Sequence, residues 1–273
     1  MTPLTELSLF SGYGGFSMGL RLAGVPIRTI GYCEIEPYCQ EIIKARIRDG
    51  QLDDAPIYAD IRAFIGEGWA EQYSGLVDII TGGFPCQDIS VAGKGLGIDA
   101  GERSGLWREM VGAIGVIRPR YALLENVSAI LVRGLDRVLG DLAEIGYDAV
   151  WTVVSAAHVG APHIRERFWL LAYARCQPGY VRVNPVDGRN VLLQQGDYGA
   201  EEERGQDRFL VALASRLHQR EAADWWRTQS RMDRSIDGCP YRVERLKALG
   251  NGICPPQAAL AIWRLFAALE ANP

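Results

Sequence analysis

The sequence predicts an α/β protein, a mainly parallel sheet covered on both faces by helices, with a small loop-rich segment appended. Three observations carry this. Short apolar runs alternate with helix-length stretches over residues 6–172, as in strands joined by crossover helices. Several runs end on glycines or a carboxylate, the pattern of a sheet that keeps its ligands at the carboxyl ends of its strands. The alternation then stops near Arg175 and resumes near Leu246.

In chain order, residues 7–10 form a short strand that runs into Gly12, Gly14 and Gly15, and residues 16–23 a helix. Residues 27–33 are a second strand, ended by Glu34, and residues 37–48 a second helix. A third short strand precedes Asp60. Residues 76–81 are a strand broken by Gly82 and Gly83. A helix over 106–117 leads to a strand over 121–124 that ends at Glu125, and residues 149–155 and 168–173 add two more strands. Residues 178–208 are rich in Gly, Asn, Asp and Gln, with little apolar periodicity. An amphipathic helix over 256–269 can pack back on the first domain. The expected division is therefore 1–174, 175–245 and a returning segment 246–273.

With 273 residues, 48% of them hydrophobic, the chain can bury a large core. No stretch of about 18 uncharged apolar residues occurs, so no membrane-spanning helix is expected. The first residues lack a basic stretch followed by an apolar run, so no leader is expected, and the expected location is the cytoplasm, in a bacterial cell or a phage-infected host. The six cysteines, Cys33, Cys39, Cys86, Cys176, Cys239 and Cys254, form no CxxC pair and no Cys/His cluster with metal spacing. No metal is expected, and the thiols should be reduced. The net charge of −4 lacks the basic balance usual for nucleic-acid binding. Yet residues 175–245 hold twelve arginines and no lysine, against eleven acids, and arginine forks suit phosphate and guanine.

Four motifs carry chemistry. In Phe10-Ser11-Gly12-Tyr13-Gly14-Gly15-Phe16 a strand enters a glycine turn and then a helix, which lets backbone approach a cofactor. Glu34, about 20 residues on, can take ribose hydroxyls, and Asp60 with Ile61 can contact an adenine. The loop has no basic residue and no G-K-[ST], which favours a nucleoside over a phosphate-rich cofactor. In Gly83-Phe84-Pro85-Cys86-Gln87, Pro85 restrains a loop that presents a thiol able to add to an electrophilic carbon. Leu124-Glu125-Asn126-Val127 places a carboxyl at a strand end, where a raised pKa lets it carry a proton. In Pro162-His163-Ile164-Arg165-Glu166-Arg167, two arginines alternate at a strand entry; one can reach an active site and the other a phosphate.

In order and spacing these motifs resemble the DNA (cytosine-5-)-methyltransferases of bacterial or phage type. F-S-G-Y-G-G is similar to their first motif, P-C-Q to their catalytic motif, E-N-V to their carboxylate motif and H-I-R-E-R to their Q-x-R-x-R motif. Leu249-Gly250-Asn251-Gly252 is similar to their last. Ser8 stands where the family often has Asp, and His163 where Gln is usual.

The resemblance implies a Rossmann-like sheet that binds S-adenosyl-L-methionine, with residues 175–245 as a target-recognition domain. It implies that Cys86 adds to carbon 6 of a cytosine flipped out of double-stranded DNA. Glu125 then protonates ring nitrogen 3, with Arg167 reaching the base and Arg165 nearer the phosphates. Phe10, Gly12, Tyr13, Gly14, Glu34, Ile35, Asp60, Ile61, Pro85, Leu106 and Asn251 are the expected cofactor residues. Gln87, Ser90, Arg165, Arg227, Arg231 and Arg234 are the expected DNA contacts. A monomer is expected, with a cognate restriction endonuclease as a candidate partner. The rivals are an RNA (tRNA) cytosine-5 methyltransferase and a non-catalytic DNA-binding relative. The segment before the last motif favours DNA, and the presence of both Cys86 and Glu125 favours catalysis.

Overall fold

A computed structural model describes residues 2–85, 105–161, 163–175, 192–193 and 250–271. Its strands are β1 (Leu4–Leu9), β2 (Ile27–Cys33), β3 (Ile57–Tyr58), β4 (Ile79–Gly83), β5 (Tyr121–Val127), β6 (Tyr147–Ser155), β7 (Glu166–Ala174) and β8 (Leu192–Leu193). Its helices are α1 (Gly15–Ala23), α2 (Pro37–Arg48), α3 (Ile61–Gly66), α4 (Trp69–Gln72), α5 (Gly105–Ile117), α6 (Ile130–Arg133), α7 (Leu135–Glu144) and α8 (Pro255–Ala271). The strands form one sheet in the order β3-β2-β1-β4-β5-β7-β6-β8.

The expected mainly parallel sheet is present. β1 pairs in parallel with β2 and β4, β2 with β3, β4 with β5, and β6 with β8. β7 is the exception, running antiparallel between β5 and β6. Only a 3-10 turn, Ala156–Val159, and a short loop join β6 to β7, too little chain for a parallel crossover. Chain order reverses between β1 and β4, which makes their carboxyl ends the switch point where ligands settle in such sheets.

Both faces are covered, and the strands show it residue by residue. Ile80, Leu124 and Leu170 pack with Trp107 and Met110 of α5 and Val138 and Leu142 of α7. Their chain neighbours Ile79, Leu123 and Leu171 pack with Phe16 of α1 and Leu260 and Leu265 of α8. Such runs are apolar throughout because period-2 alternation sends successive side chains into two different cores. The C-terminal helix α8 packs on α1. α8 lies so close to α1 that a Cβ on Gly19 would sit 2.6 Å from the Ala258 Cβ.

Three expectations need correction. β1 begins at Leu4, ahead of the apolar run, because Glu6 is fully buried and takes hydrogen bonds from Thr29 Oγ1 (2.6 Å) and Thr81 Oγ1 (2.8 Å). β4 continues through Gly82 and Gly83 instead of breaking there. Those glycines answer crowding: an added Cβ would lie 2.1 Å from Met110 Cε at Gly82 and 3.1 Å from Glu125 Oε2 at Gly83. β5 runs on to Val127, so Glu125 sits within a central strand, opposite both Gly83 and Trp169. Among the described residues no helix is long and apolar enough to cross a membrane.

Candidate active site

The carboxyl ends of β3, β2 and β1 lie side by side, and each leads into expected cofactor residues. Phe10 leaves β1 with φ 49, followed by Gly12 at φ 55 and Gly14 at φ 84, left-handed backbone that glycine adopts without a Cβ clash. The turn is fixed to β2: Ser11 N–H donates to the Cys33 carbonyl (3.0 Å), and Cys33 N–H donates to Ser11 Oγ (3.2 Å).

Glu34 follows directly. Its Oε2 accepts the Gly12 N–H at 2.6 Å and its Oε1 the Glu36 N–H at 2.8 Å. Burial raises its pKa, and the backbone donors of Glu36 and Gly12 oppose the rise. Each oxygen has accepted one hydrogen bond and keeps a lone pair for a ligand hydroxyl. Ile35 beside it is 64% exposed. Asp60 caps α3 by accepting the Arg62 N–H (2.8 Å). The Ile61 side chain is buried in the core with Phe64, so only its backbone is placed to meet a ligand.

On the other side of the switch point stands Glu125, 9% exposed. Arg167 Nε lies 2.9 Å from its Oε1. Burial pushes the carboxyl pKa up, and the charges of Arg167 and Arg165 pull it down. The antiparallel course of β7 makes the pair possible. The amino end of β7 meets the carboxyl end of β5, with Arg167 opposite Val127 and therefore on the Glu125 face.

Arg165 turns elsewhere. Its Nη2 donates to the carbonyls of Gly252 (2.9 Å) and Gly250 (3.2 Å). Asn251 between them is exposed. Tyr13 also points away from open space: its hydroxyl donates to the Ile253 carbonyl, and the Arg46 guanidinium lies 5.0 Å from its ring centroid. Leu106 is partly buried against the core. His163 is exposed, and Ser8 is buried with its carbonyl taking the Ser11 hydroxyl at 2.8 Å.

The chain that leads to Cys86 is described as far as Pro85. Phe84 is held from two sides. Asn126 Nδ2 donates to its carbonyl (3.2 Å), and the Trp107 ring packs 4.8 Å from its ring. The Trp107 indole N–H donates in turn to Asp141 Oδ2 (2.8 Å), which Arg137 Nε also contacts. Sequence reasoning assigned no role to Asn126, Trp107 or Gln257. Asn126 was signalled by its place beside Glu125. Gln257, 1% exposed, donates to the carbonyls of Val154 (2.8 Å) and Arg165 (2.7 Å). Cys86, Gln87, Ser90, Arg227, Arg231 and Arg234 lie outside the described residues, as does nearly all of the segment 175–245.

Residues 4–192 match the family model of the C-5 cytosine-specific DNA methylases. Among curated proteins, the chain is 33% identical over 167 residues to the Type II methyltransferase M.CviJI of Paramecium bursaria Chlorella virus IL3A, covering 61% of this chain and 42% of that one. It is 30% identical over 170 residues to the Type II methyltransferase M1.HphI of Haemophilus parahaemolyticus, covering 60% and 44%. The matched part thus spans less than half the length of these relatives. Among solved structures, the S. pombe Dnmt2 methyltransferase superposes with a TM-score of 0.59 at 16% identity, over 98% of this chain and 99% of that one. A Spodoptera frugiperda DNMT2 mutant superposes with a TM-score of 0.52 at 19% identity, over 71% and 56%. At these identities the structures establish a shared fold.

Proposed function

Because this chain belongs to the C-5 cytosine-specific DNA methylase family, we propose that it methylates carbon 5 of a flipped-out cytosine in a specific sequence of double-stranded DNA. The observation that carries the reading is the Glu125–Arg167 pair beside the backbone of Gly83, three residues before Cys86. A thiol three residues beyond the end of β4 and a proton-bearing carboxyl in β5 would then address the same ring.

Cys86 adds as thiolate to carbon 6, forming the carbon–sulfur bond. Glu125 donates a proton to ring nitrogen 3, which accepts the electron density displaced from the ring double bond. Arg167 holds the Glu125 carboxyl in place and contacts the base. S-adenosyl-L-methionine, when bound, supplies the electrophilic methyl that carbon 5 takes up. The methyl leaves its sulfonium sulfur, which remains as S-adenosylhomocysteine, the carbon 5 proton passes to solvent, and the double bond re-forms with expulsion of the Cys86 thiolate while ring nitrogen 3 returns its proton to Glu125. The residues present fit that cofactor. Glu34 offers a fixed, buried carboxylate for two ribose hydroxyls, Ile35 an exposed apolar surface and Asp60 an acceptor for adenine. The turn 10–16 contains no Lys or Arg that would call for phosphate.

Residues 175–245 are proposed as the target-recognition domain, with Arg227, Arg231 and Arg234 as candidate readers of guanine. Gln87 and Ser90 are candidate contacts beside the flipped base.

Cys86→Ala abolishes methyl transfer and leaves cofactor binding intact. Duplex DNA with 5-fluorocytosine at the target traps a covalent adduct with the wild-type chain, because fluorine does not leave as a proton does. Normal turnover by the alanine variant removes Cys86 from this role. Methyl incorporation into tRNA in place of duplex DNA would move the enzyme to an RNA substrate. Exchanging residues 175–245 with those of a relative tests the recognition domain; an active chimera that keeps its original sites refutes it.

A further inference from the structure

Residues 250–253 are grasped from two sides by side chains belonging to different halves of the site. From the chemistry side, Arg165 Nη2 holds the carbonyls of Gly250 and Gly252. From the cofactor side, the Tyr13 hydroxyl holds the next carbonyl, that of Ile253. Three of the four carbonyls in this stretch are therefore occupied by the first and fourth motifs of the sequence.

The grip is close. A Cβ on Gly15, two residues after Tyr13, would sit 2.7 Å from the Ile253 oxygen. A Cβ on Gly83 would sit 3.6 Å from Ile253 Cδ1 and 3.1 Å from Glu125 Oε2, so the Ile253 side chain and the Glu125 carboxyl flank one glycine. Tyr13 is itself held from behind. Arg46 donates to the Tyr13 carbonyl (2.7 Å), and its guanidinium covers the ring. The hold on Arg165 extends to its backbone, whose carbonyl takes a hydrogen bond from Gln257 at the start of α8.

We propose that the Tyr13 hydroxyl is a positioning group that couples the cofactor turn to the Glu125–Arg167 pair through residues 250–253 and Arg165. Tyr13 acts through its neighbours, since its hydroxyl is taken up by the Ile253 carbonyl. A shift of the turn when cofactor binds moves the Ile253 carbonyl. Gly252 and Gly250, one and three residues back, carry that movement to Arg165, two residues from Arg167. The inference rests on the methyltransferase reading given above and adds a residue to it.

The test is the affinity of S-adenosylhomocysteine, measured by calorimetry on the full chain with and without saturating duplex that carries the site mapped by bisulfite sequencing. Two coupled sites alter one another's affinity reciprocally, typically by roughly 5–150-fold. In the wild-type chain the ratio of the two affinities departs from one. In Tyr13→Phe, which removes one oxygen and keeps the ring under Arg46, the ratio returns toward one, and kcat falls more than the cofactor KM changes. In Arg165→Met, which opens the latch at its other end, the ratio also returns toward one. The double variant adds nothing further, because both changes break one path. The proposal is overturned if either folded variant keeps the wild-type ratio, or if the wild-type ratio is one. A lower melting temperature with an unchanged ratio makes Tyr13 a structural clamp only and overturns it as well. A wild-type chain that binds no S-adenosylhomocysteine overturns the methyltransferase reading, and the latch with it.

Discussion

Arg167 and Glu125 meet across two antiparallel strands, Nε to Oε1 at 2.9 Å, although 42 positions separate them in the sequence. The guanidinium does most to offset the effect of burial on the carboxyl. In return, burial and the neighbouring Arg165 lower the pKa of Arg167 itself.

Removing Arg167 leaves a carboxyl with little access to water and, among the described residues, only the charge of Arg165 to offset its burial. Breaking a fully buried pair in this way costs about 3–5 kcal/mol. The Arg167 side chain is 21% exposed, so Arg167→Ala is expected to cost less, about 1–3 kcal/mol in urea unfolding. Turnover should be lost, with partial recovery in Arg167→Lys. An alanine variant as stable and as active as the wild type removes the pair from both roles.

Glu6 provides a pH test away from the chemistry. Burial raises its pKa above the ordinary value of 4.5, while the hydrogen bonds from Thr29 and Thr81 oppose the rise. For a group raised in the folded state, the stabilising contribution is complete below the unfolded value and is lost as pH rises through the folded value. Glu6→Gln, which cannot ionise, should therefore gain on the wild type as pH rises above the ordinary carboxylate range. Unfolding free energies at a series of pH values check this, and a constant gap between the two proteins refutes it.

Gly83→Ala and Gly15→Ala separate the two halves of the site. At Gly83 the new methyl would press on Glu125 Oε2 at 3.1 Å, whereas at Gly15 it would meet the Ile253 backbone oxygen at 2.7 Å. The first should lower kcat by an order of magnitude or more, the effect of about 1.4 kcal/mol in the barrier, with cofactor affinity unchanged. The second should cost about 1–3 kcal/mol of stability through overpacking and weaken the cofactor. Steady-state kinetics paired with thermal unfolding distinguishes them; equal effects on both quantities would contradict the assignment.

Glu34→Ala should weaken S-adenosyl-L-methionine by about 1–3 kcal/mol, since it strands ribose hydroxyls and the Gly12 and Glu36 N–H groups together. Calorimetry reads this directly. Unchanged affinity takes Glu34 out of the site.

Much of the fold was legible because its central strands are buried on both faces, and because α1 and α5 open on glycine and α2 and α8 on proline. β2, α1, α2, α5 and α8 fall within a residue or two of their expected limits. α7 was legible but unread: Leu135, Val138, Leu139 and Leu142 recur at helical spacing. The start of β1 could not be read, because Thr5 and Glu6 look like surface residues until Asp78, Thr29 and Thr81 are seen to satisfy them. At the site, motif order located Glu125, Glu34 and Arg167. It could not tell that Tyr13 and Arg165 spend their polar atoms on backbone carbonyls, since those partners lie 240, 85 and 87 positions away. Nor could it foresee that Trp107 and Asn126 would converge on Phe84.

The reversed course of β7 also limits how the chain can be trimmed. Its amino end stands at the site, but nine residues later it leaves at the opposite edge, where Arg175 N–H bonds the Gly146 carbonyl (3.1 Å). The chain next required at the site is Gly250, under Arg165. A nine-residue strand measures about 30 Å, so joining 175 to 250 demands a linker of at least about nine extended residues. A shorter graft would drag Gly250 off Arg165 or unzip the far end of β7. An exchange of residues 176–249 therefore keeps the site only if the two ends of the insert can sit that far apart.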